Sequence, residues 1–176
     1  DKISPYEFYQ FWLNQDDRDV VKYLKFFTFL TQDEINALAE KVESEPHKRE
    51  AQKTLASEMT LFVHGEEALN DALTITAALF SGDVKQLTSH QIEDGFKNMP
   101  NATIGKEPMN IVDWLVETKI EPSKRQARED VTNGAISING EKVQDLETLI
   151  TSELSIDDKF IIVRKGKKKY TLVKLA

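Results

Sequence analysis

The sequence SKRQAREDVTNGAISINGEKV, residues 123–143, predicts a short helix followed by a β-hairpin. Ser123 is a favourable N-cap residue, and Gln126, three positions later, would complete a capping box with it. Asn139-Gly140 lies between the alternating residues AISI and a second polar strand, which is the strongest short-range signal for a two-residue hairpin. This stretch therefore predicts a helix joined to a sheet, the nucleus of a small α+β domain.

The charges of the predicted helix are reversed relative to its dipole. Lys124 and Arg125 lie in the first turn, where a cation costs ~0.3–1 kcal/mol, and Glu129 and Asp130 lie near the other end. Helix N-termini are natural sites for anions. We therefore expect Lys124, Arg125 and Arg128 to face phosphate beside the core stripe of the helix, held by the ligand and not by the fold.

A second basic cluster follows near the end of the chain. Residues 164–169, RKGKKK, place five cations in six positions between the predicted strands KFIIV and YTLVKL. A solvated basic turn could serve only to keep an edge hairpin soluble. Two basic clusters in one small domain favour binding of structured RNA through its phosphates and shape.

The rest of the chain is predicted to be helical. Ser4-Pro5 with Glu7, Thr31 with Glu34, and Thr88 with Gln91 are helix-start signals. Residues 98–108, NMPNATIGKEP, show no periodicity and contain Pro, Asn and Gly. The predicted fold is an all-α helical domain over 1–98, a linker over 99–108, and a small α+β RNA-binding domain over 109–176.

Two helices supply the expected core of the helical domain. The first is aromatic nearly all round, and we expect its rings to be core residues, with a base-stacking platform as the minor alternative. The second, roughly 48–64, has an apolar stripe. The expected core residues are Tyr6, Phe8, Tyr9, Phe11 and Trp12 of the first helix and Ala51, Leu55, Met59, Phe62 and Val63 of the second.

Three aspartates open the predicted helix between these two. Asp16, Asp17 and Asp19 lie in its first turn, where carboxylates stabilise the helix dipole. Capping is the simpler interpretation. The functional alternative is that one of them accepts hydrogen bonds from the two adjacent donors of a guanine base.

Composition excludes several classes of function. The net charge is −7, yet residues 1–108 hold 11 basic against 19 acidic residues, whereas residues 109–176 hold 12 against 11. There is no cysteine, no apolar run long enough to cross a membrane, and no pair of histidines at metal-binding spacing. We find no catalytic constellation and no phosphate-binding Gly-rich loop, so no catalytic residue, metal or cofactor is predicted within this segment.

Two stretches carry a family resemblance. SKRQARxxxxNGAISINGEKV resembles the signature of the S-four-type RNA-binding domain, named for a ribosomal small-subunit protein. Upstream, SPYEFYQFWLNQDDRDVVKYLKFFTFL and KREAQKTLASEMTLFVHGEEAL resemble the anticodon-binding helical domain of bacterial tyrosyl-tRNA synthetases. The two domains occur in this order in that family, so the resemblance covers essentially the whole chain.

The resemblance implies a role in binding tyrosine tRNA. By match to the family's motifs, tRNA would be held by Lys124, Arg125, Arg128, Arg164, Lys165, Lys167 and Lys168, and its anticodon guanine by Asp16, Asp17 or Asp19. An N-terminal catalytic domain, a homodimer interface and the ATP and tyrosine pockets would lie outside this chain, in a cytoplasmic enzyme. The alternative is a helical protein-interaction module fused to a generic RNA-binding domain.

Overall fold

The computed structural model describes residues 2–176 and divides into two compact units, the first up to Thr74 and the second Ile75–Ala176. The helices are α1 (Pro5–Leu13), α2 (Asp17–Phe27), α3 (Gln32–Ser44), α4 (Glu50–His64), α5 (Glu66–Ser81), α6 (Ser89–Gly95), α7 (Ile111–Glu117) and α8 (Lys124–Thr132). The strands are β1 (Asn101–Ile104), β2 (Met109–Asn110), β3 (Ile136–Ile138), β4 (Glu141–Val143), β5 (Leu149–Ile150), β6 (Phe160–Lys165) and β7 (Lys169–Leu175). The predicted fold class, helical and then α+β, is confirmed.

The first unit packs α1 to α4 around an apolar core. The predicted helix starts are present: the Ser4 hydroxyl accepts from the Glu7 amide in a complete capping box, and the Thr31 side chain accepts from the Glu34 amide. These side chains satisfy amides that the first helical turn leaves unpaired. The buried core residues are Val20, Leu24, Ile35, Ala51, Leu55 and Met59.

Three of the residues expected in that core are exposed instead. The exposed fractions are 59% for Phe11, 69% for Phe62 and 52% for Val63. An apolar stripe specifies one face of a helix, and the last turn of α4 carries apolar residues on more than one face. The prediction was therefore wrong at these positions, whereas Tyr9, Ala51, Leu55 and Met59 are buried as expected.

The second unit is built on a five-stranded sheet in the order β1-β7-β6-β3-β4. Helices α7 and α8 cover one face, and the core there includes Trp114, Val131, Ile136 and Val163. The opposite face is also buried, since Ile162 and Leu172 are almost inaccessible and the Phe96 ring lies edge-on against Tyr170 at 5.9 Å. A sheet buried on both faces accounts for the continuous apolar run in β6.

The predicted linker contains a strand of this sheet. Residues 101–104 form β1, which pairs in parallel with β7 from Asn101 opposite Leu172 onward. The boundary between the compact units also falls between residues 74 and 75, inside α5, and not near residue 98. Four residues, two of them polar, carry too little apolar periodicity to signal a strand, and a parallel partner far along the chain leaves no local signature.

The Asn139-Gly140 hairpin is present as predicted. Asn139 and Gly140 have φ of 48° and 86°, the left-handed values that a type I′ turn requires. The Asn139 side chain is buried, and its Oδ1 accepts from the Ile162 amide at 2.7 Å. The turn residue thus also anchors β6, which fixes the register between the hairpin and the rest of the sheet.

No helix among residues 2–176 is long and apolar enough to span a membrane.

Gly140 is expected to be intolerant of a side chain. A Cβ atom there would lie 2.6 Å from the Gly82 carbonyl oxygen, and its φ is in the left-handed region. We predict that Gly140→Ala lowers the free energy of unfolding by about 1–3 kcal/mol. Gly105→Ala, at a position with nothing within 4 Å, is the matched control. Urea unfolding of both variants measures the difference in free energy of unfolding. Equal values for the two variants would contradict the prediction.

Candidate nucleic-acid interface

Helix α8 presents its arginines to solvent. The Ser123 hydroxyl accepts from the Gln126 amide at 3.2 Å and so fixes the helix start. Ala127 and Val131 are completely buried, whereas Arg125 and Arg128 are exposed. Within residues 2–176 neither arginine has a side-chain hydrogen-bond or ion-pair partner. The outward orientation expected for these two side chains is confirmed.

Lys124 and Gln126 are held differently from the prediction. The Lys124 ammonium group lies 2.6 Å from a carboxylate oxygen of Asp113 on α7, so the fold itself holds this lysine. Gln126 does not complete a capping box with Ser123. Its Nε2 donates instead to Asp130 at 3.2 Å. Asp113 therefore offsets part of the cost of a cation in the first turn.

A charged cluster links α8 to the end of β6. The Lys165 ammonium group lies 2.9 Å from both carboxylate oxygens of Glu121 and 3.3 Å from Asp130. The Glu121 side chain is completely inaccessible to solvent and that of Lys165 is 32% exposed. The binding of RNA by Lys165 stays a prediction, and its ammonium group is engaged with two carboxylates inside the domain.

The surroundings move the pKa of each member of this cluster. Burial raises the pKa of Glu121, and Asp130 beside it adds to the rise, against the influence of Lys165. Burial also opposes ionisation of Asp130, but hydrogen bonds from Glu121, Lys165 and Gln126 outweigh it and lower the Asp130 pKa. Burial disfavours the Lys165 cation, yet the two carboxylates raise its pKa.

The turn between β6 and β7 carries the remaining cations. Lys167 and Lys168 are exposed, and within residues 2–176 neither forms an ion pair or a side-chain hydrogen bond. Gly166, with φ of 68°, makes the turn, and its amide donates to the Ala135 carbonyl at 2.8 Å. This contact fixes the turn beside the C-terminal end of α8.

Arg164 lies on the other face of the sheet from Lys165, because side chains alternate along a strand. It pairs in register with Ser137 on β3 and Tyr170 on β7. Lys142 on β4 pairs with Ser137 from the other side. Lys142 was missed in the sequence, because its relation to Arg164 depends on both strands lying next to β3.

The three aspartates at the start of α2 have distinct environments. Asp16 is the N-cap, and a side-chain hydrogen bond from Arg18, followed by one from the Arg18 amide, lowers its pKa to about 2. Asp17 accepts from Gln52 at 2.6 Å. Asp19 is exposed in the first helical turn and accepts no side-chain hydrogen bond from residues 2–176. Capping is thus shown for Asp16, and the Asp19 carboxylate is the most available of the three.

Comparison with known proteins defines the class of protein. Residues 1–81 match the family model described as tRNA synthetases class I (W and Y), and residues 91–173 match that of the Tyrosine--tRNA ligase SYY-like C-terminal domain. The two halves therefore indicate one class, the class I tRNA synthetases, and not an unrelated interaction module. The chain belongs to the tyrosyl-tRNA synthetase family and carries its C-terminal domain.

Individual relatives are named as tyrosine–tRNA ligases or tyrosyl-tRNA synthetases. Tyrosine--tRNA ligase 2 of Bacillus anthracis is 68% identical over 175 residues, which is 99% of this chain and 42% of that protein. Tyrosine--tRNA ligase of Ligilactobacillus salivarius is 64% identical over the same length. A solution structure of a tyrosyl-tRNA synthetase C-terminal domain is 47% identical, covering 56% of this chain and all of that one, with a TM-score of 0.46. The chain thus spans about two-fifths of the length of the two ligases.

Removing the Lys165 charge should destabilise the second unit. We predict that Lys165→Met lowers its free energy of unfolding by about 2–4 kcal/mol, because Glu121 and Asp130 then lose their counterion. Without the ammonium group both carboxyls take up protons more readily in the folded state. The deficit relative to wild type should therefore be largest near neutral pH and shrink as the pH falls through the pKa values that the two carboxyls have in the variant.

The free energy of unfolding of the second unit is measured by urea unfolding, followed by Trp114 fluorescence in a Trp12→Phe background. Trp114 is buried in that unit, and Trp12 lies in the first. Lys167→Met, at an exposed lysine two positions away, is the matched control. A deficit that stays constant between neutral and acidic pH would contradict the assigned role of the carboxylates.

Proposed function

We propose that this chain is the tRNA-binding portion of a tyrosine–tRNA ligase. It would hold tyrosine tRNA, by its long variable arm and anticodon, for tyrosylation with ATP as substrate by a catalytic domain of the intact cytoplasmic enzyme. That enzyme would dimerise through the catalytic domain, and the present segment would itself be non-catalytic. The observation that carries the proposal is the pair of exposed basic clusters fixed to opposite ends of α8.

The Lys165 cluster supports this arrangement. Its contacts with Glu121 and Asp130 tie the end of β6 to the loop before α8 and to α8 itself. Lys167 and Lys168 therefore lie next to the C-terminal end of α8, while Lys124 and Arg125 lie at its N-terminal end, roughly 13 Å away along the helix. A rigid spacing between cations suits a ligand with regularly spaced phosphates.

The side chains of the two clusters suit phosphate in different ways. Arg125 and Arg128 can form bidentate contacts with a phosphodiester, whereas Lys124, Lys167 and Lys168 act as point charges. All five side chains are exposed. They form local basic clusters in a chain whose net charge is −7. Local clustering, not the total charge, thus supports RNA binding. Lys165 is assigned a positioning role instead.

Removing one of the exposed arginines should weaken tRNA binding in a salt-dependent way. We predict that Arg125→Ala or Arg128→Ala lowers affinity for tyrosine tRNA and reduces the slope of log affinity against log salt by about 0.7–0.9 each. Lys159→Ala, an exposed lysine just before the far end of β6, is the matched control. Equal losses in all three variants would mean that binding is not localised at α8.

We propose Asp19 as the aspartate that accepts from the anticodon guanine, since Asp16 and Asp17 are engaged within the first unit. Asp19→Asn should weaken binding of tyrosine tRNA roughly tenfold, because a charged acceptor is replaced by a neutral group with a single acceptor oxygen. Binding of a tRNA lacking that guanine should change little. Asp16→Asn, which keeps an N-cap, is the control. Equal losses on both tRNAs would return Asp19 to a capping role.

A further inference from the structure

A cationic cavity lies on the face of the sheet away from α7 and α8. Its volume is about 470 Å³, and its lining includes Phe80, Gly134, Ser137, Lys142, Arg164 and Lys167. Three cations contribute, and no carboxylate is among the lining residues, all of which lie in the described second unit. The volume falls within the range of pockets that hold a small organic ligand, and its charge selects an anionic one.

Arg164 lines this cavity with an unsatisfied donor. Its Nε is buried and has no hydrogen-bond partner within residues 2–176. The guanidinium group rests against Gly82, where an added Cβ atom would collide with Nη1. A buried guanidinium donor without an acceptor is unfavourable. The fixed guanidinium charge in the wall of the cavity favours an anionic ligand, and phosphate is an anion that arginine binds well.

Phe80 stands at the rim of the same cavity. Its side chain is 93% exposed, the largest fraction of any exposed large hydrophobic residue among those described. The preceding residue is fixed, because the Tyr170 hydroxyl donates to the Leu79 carbonyl at 2.8 Å. An aromatic ring held in water beside three cations is the arrangement by which proteins stack an unpaired base while binding its phosphate.

We infer that this cavity binds a single unpaired nucleotide of the RNA. The base stacks on Phe80, and its phosphodiester contacts Arg164, Lys142 and Lys167. The inference rests on the proposed tRNA-binding function and adds a contact with a base to a surface otherwise built for phosphates. Structured RNAs present such splayed nucleotides in loops and bulges, where an aromatic side chain can reach the base face.

Phe80→Ala should weaken binding of in-vitro transcribed tyrosine tRNA roughly 5- to 150-fold, as expected for one lost base stack. The salt slope should not change, because no charge is removed. Phe80→Trp should keep wild-type affinity. Lys142→Ala should lower both the affinity and the slope. Phe29→Ala is the matched control, since Phe29 is a similarly exposed phenylalanine in the first unit, at 86%.

The outcomes separate the cavity from the proposed function. If the wild-type chain binds tyrosine tRNA and Arg125→Ala weakens it, but Phe80→Ala and Lys142→Ala bind as wild type, the cavity assignment is overturned and the function stands. If the wild-type chain does not bind this tRNA in a salt-dependent way, the proposed function is overturned, and the cavity assignment that rests on it is overturned too. Saturable binding of free AMP that tRNA does not displace would assign the cavity to a mononucleotide and overturn the RNA assignment.

Discussion

The salt bridge between Lys165 and the buried carboxylate of Glu121 sets the geometry of the basic surface. Glu121 precedes α8, Asp130 belongs to α8, and Lys165 ends β6, so one ammonium group joins a loop, a helix and a strand. Taking these charges out of water is costly unless each finds its partners. That cost makes the register of β6 specific, because any register that separates Lys165 from Glu121 leaves a buried carboxylate without a counterion.

Strand β6 then distributes its cations by simple alternation. Arg164 falls on the face with Ser137 and the cationic cavity, Lys165 falls on the face with α8, and Lys167 and Lys168 follow in the turn. A run that reads as one basic patch in the sequence is thus distributed over both faces of the sheet and the turn. The turn lysines and the α8 arginines provide accessible charge, while Arg164 combines charge with a shaped cavity.

Local signals in the sequence were sufficient for much of the fold. Helix caps at Ser4, Thr31 and Ser123 and the Asn139-Gly140 hairpin depend on residues close in sequence, and all are present. Features that depend on distant partners were not predicted: β1 pairs with β7, and Lys165 contacts Glu121. The Gln126 side chain has two possible partners close in sequence, and in the structure it donates to Asp130. Exposure of Phe62 depends on which helix faces are covered, which periodicity alone does not specify. Phe80 and Lys142 became candidates only when the fold placed them near Arg164.

Pairing of β1 with β7 makes the edge of the sheet a late event in folding. Asn101 lies opposite Leu172, so closing this contact requires ordering the long chain between them, and the entropy of that closure favours local structure first. The α7–α8 pair and the β3–β4 hairpin can form early from neighbouring residues. During synthesis on a ribosome, β1 would emerge well before β7 and would remain unpaired until β7 is available. Its short length and polar Asn101 and Thr103 would limit wrong pairing during that interval.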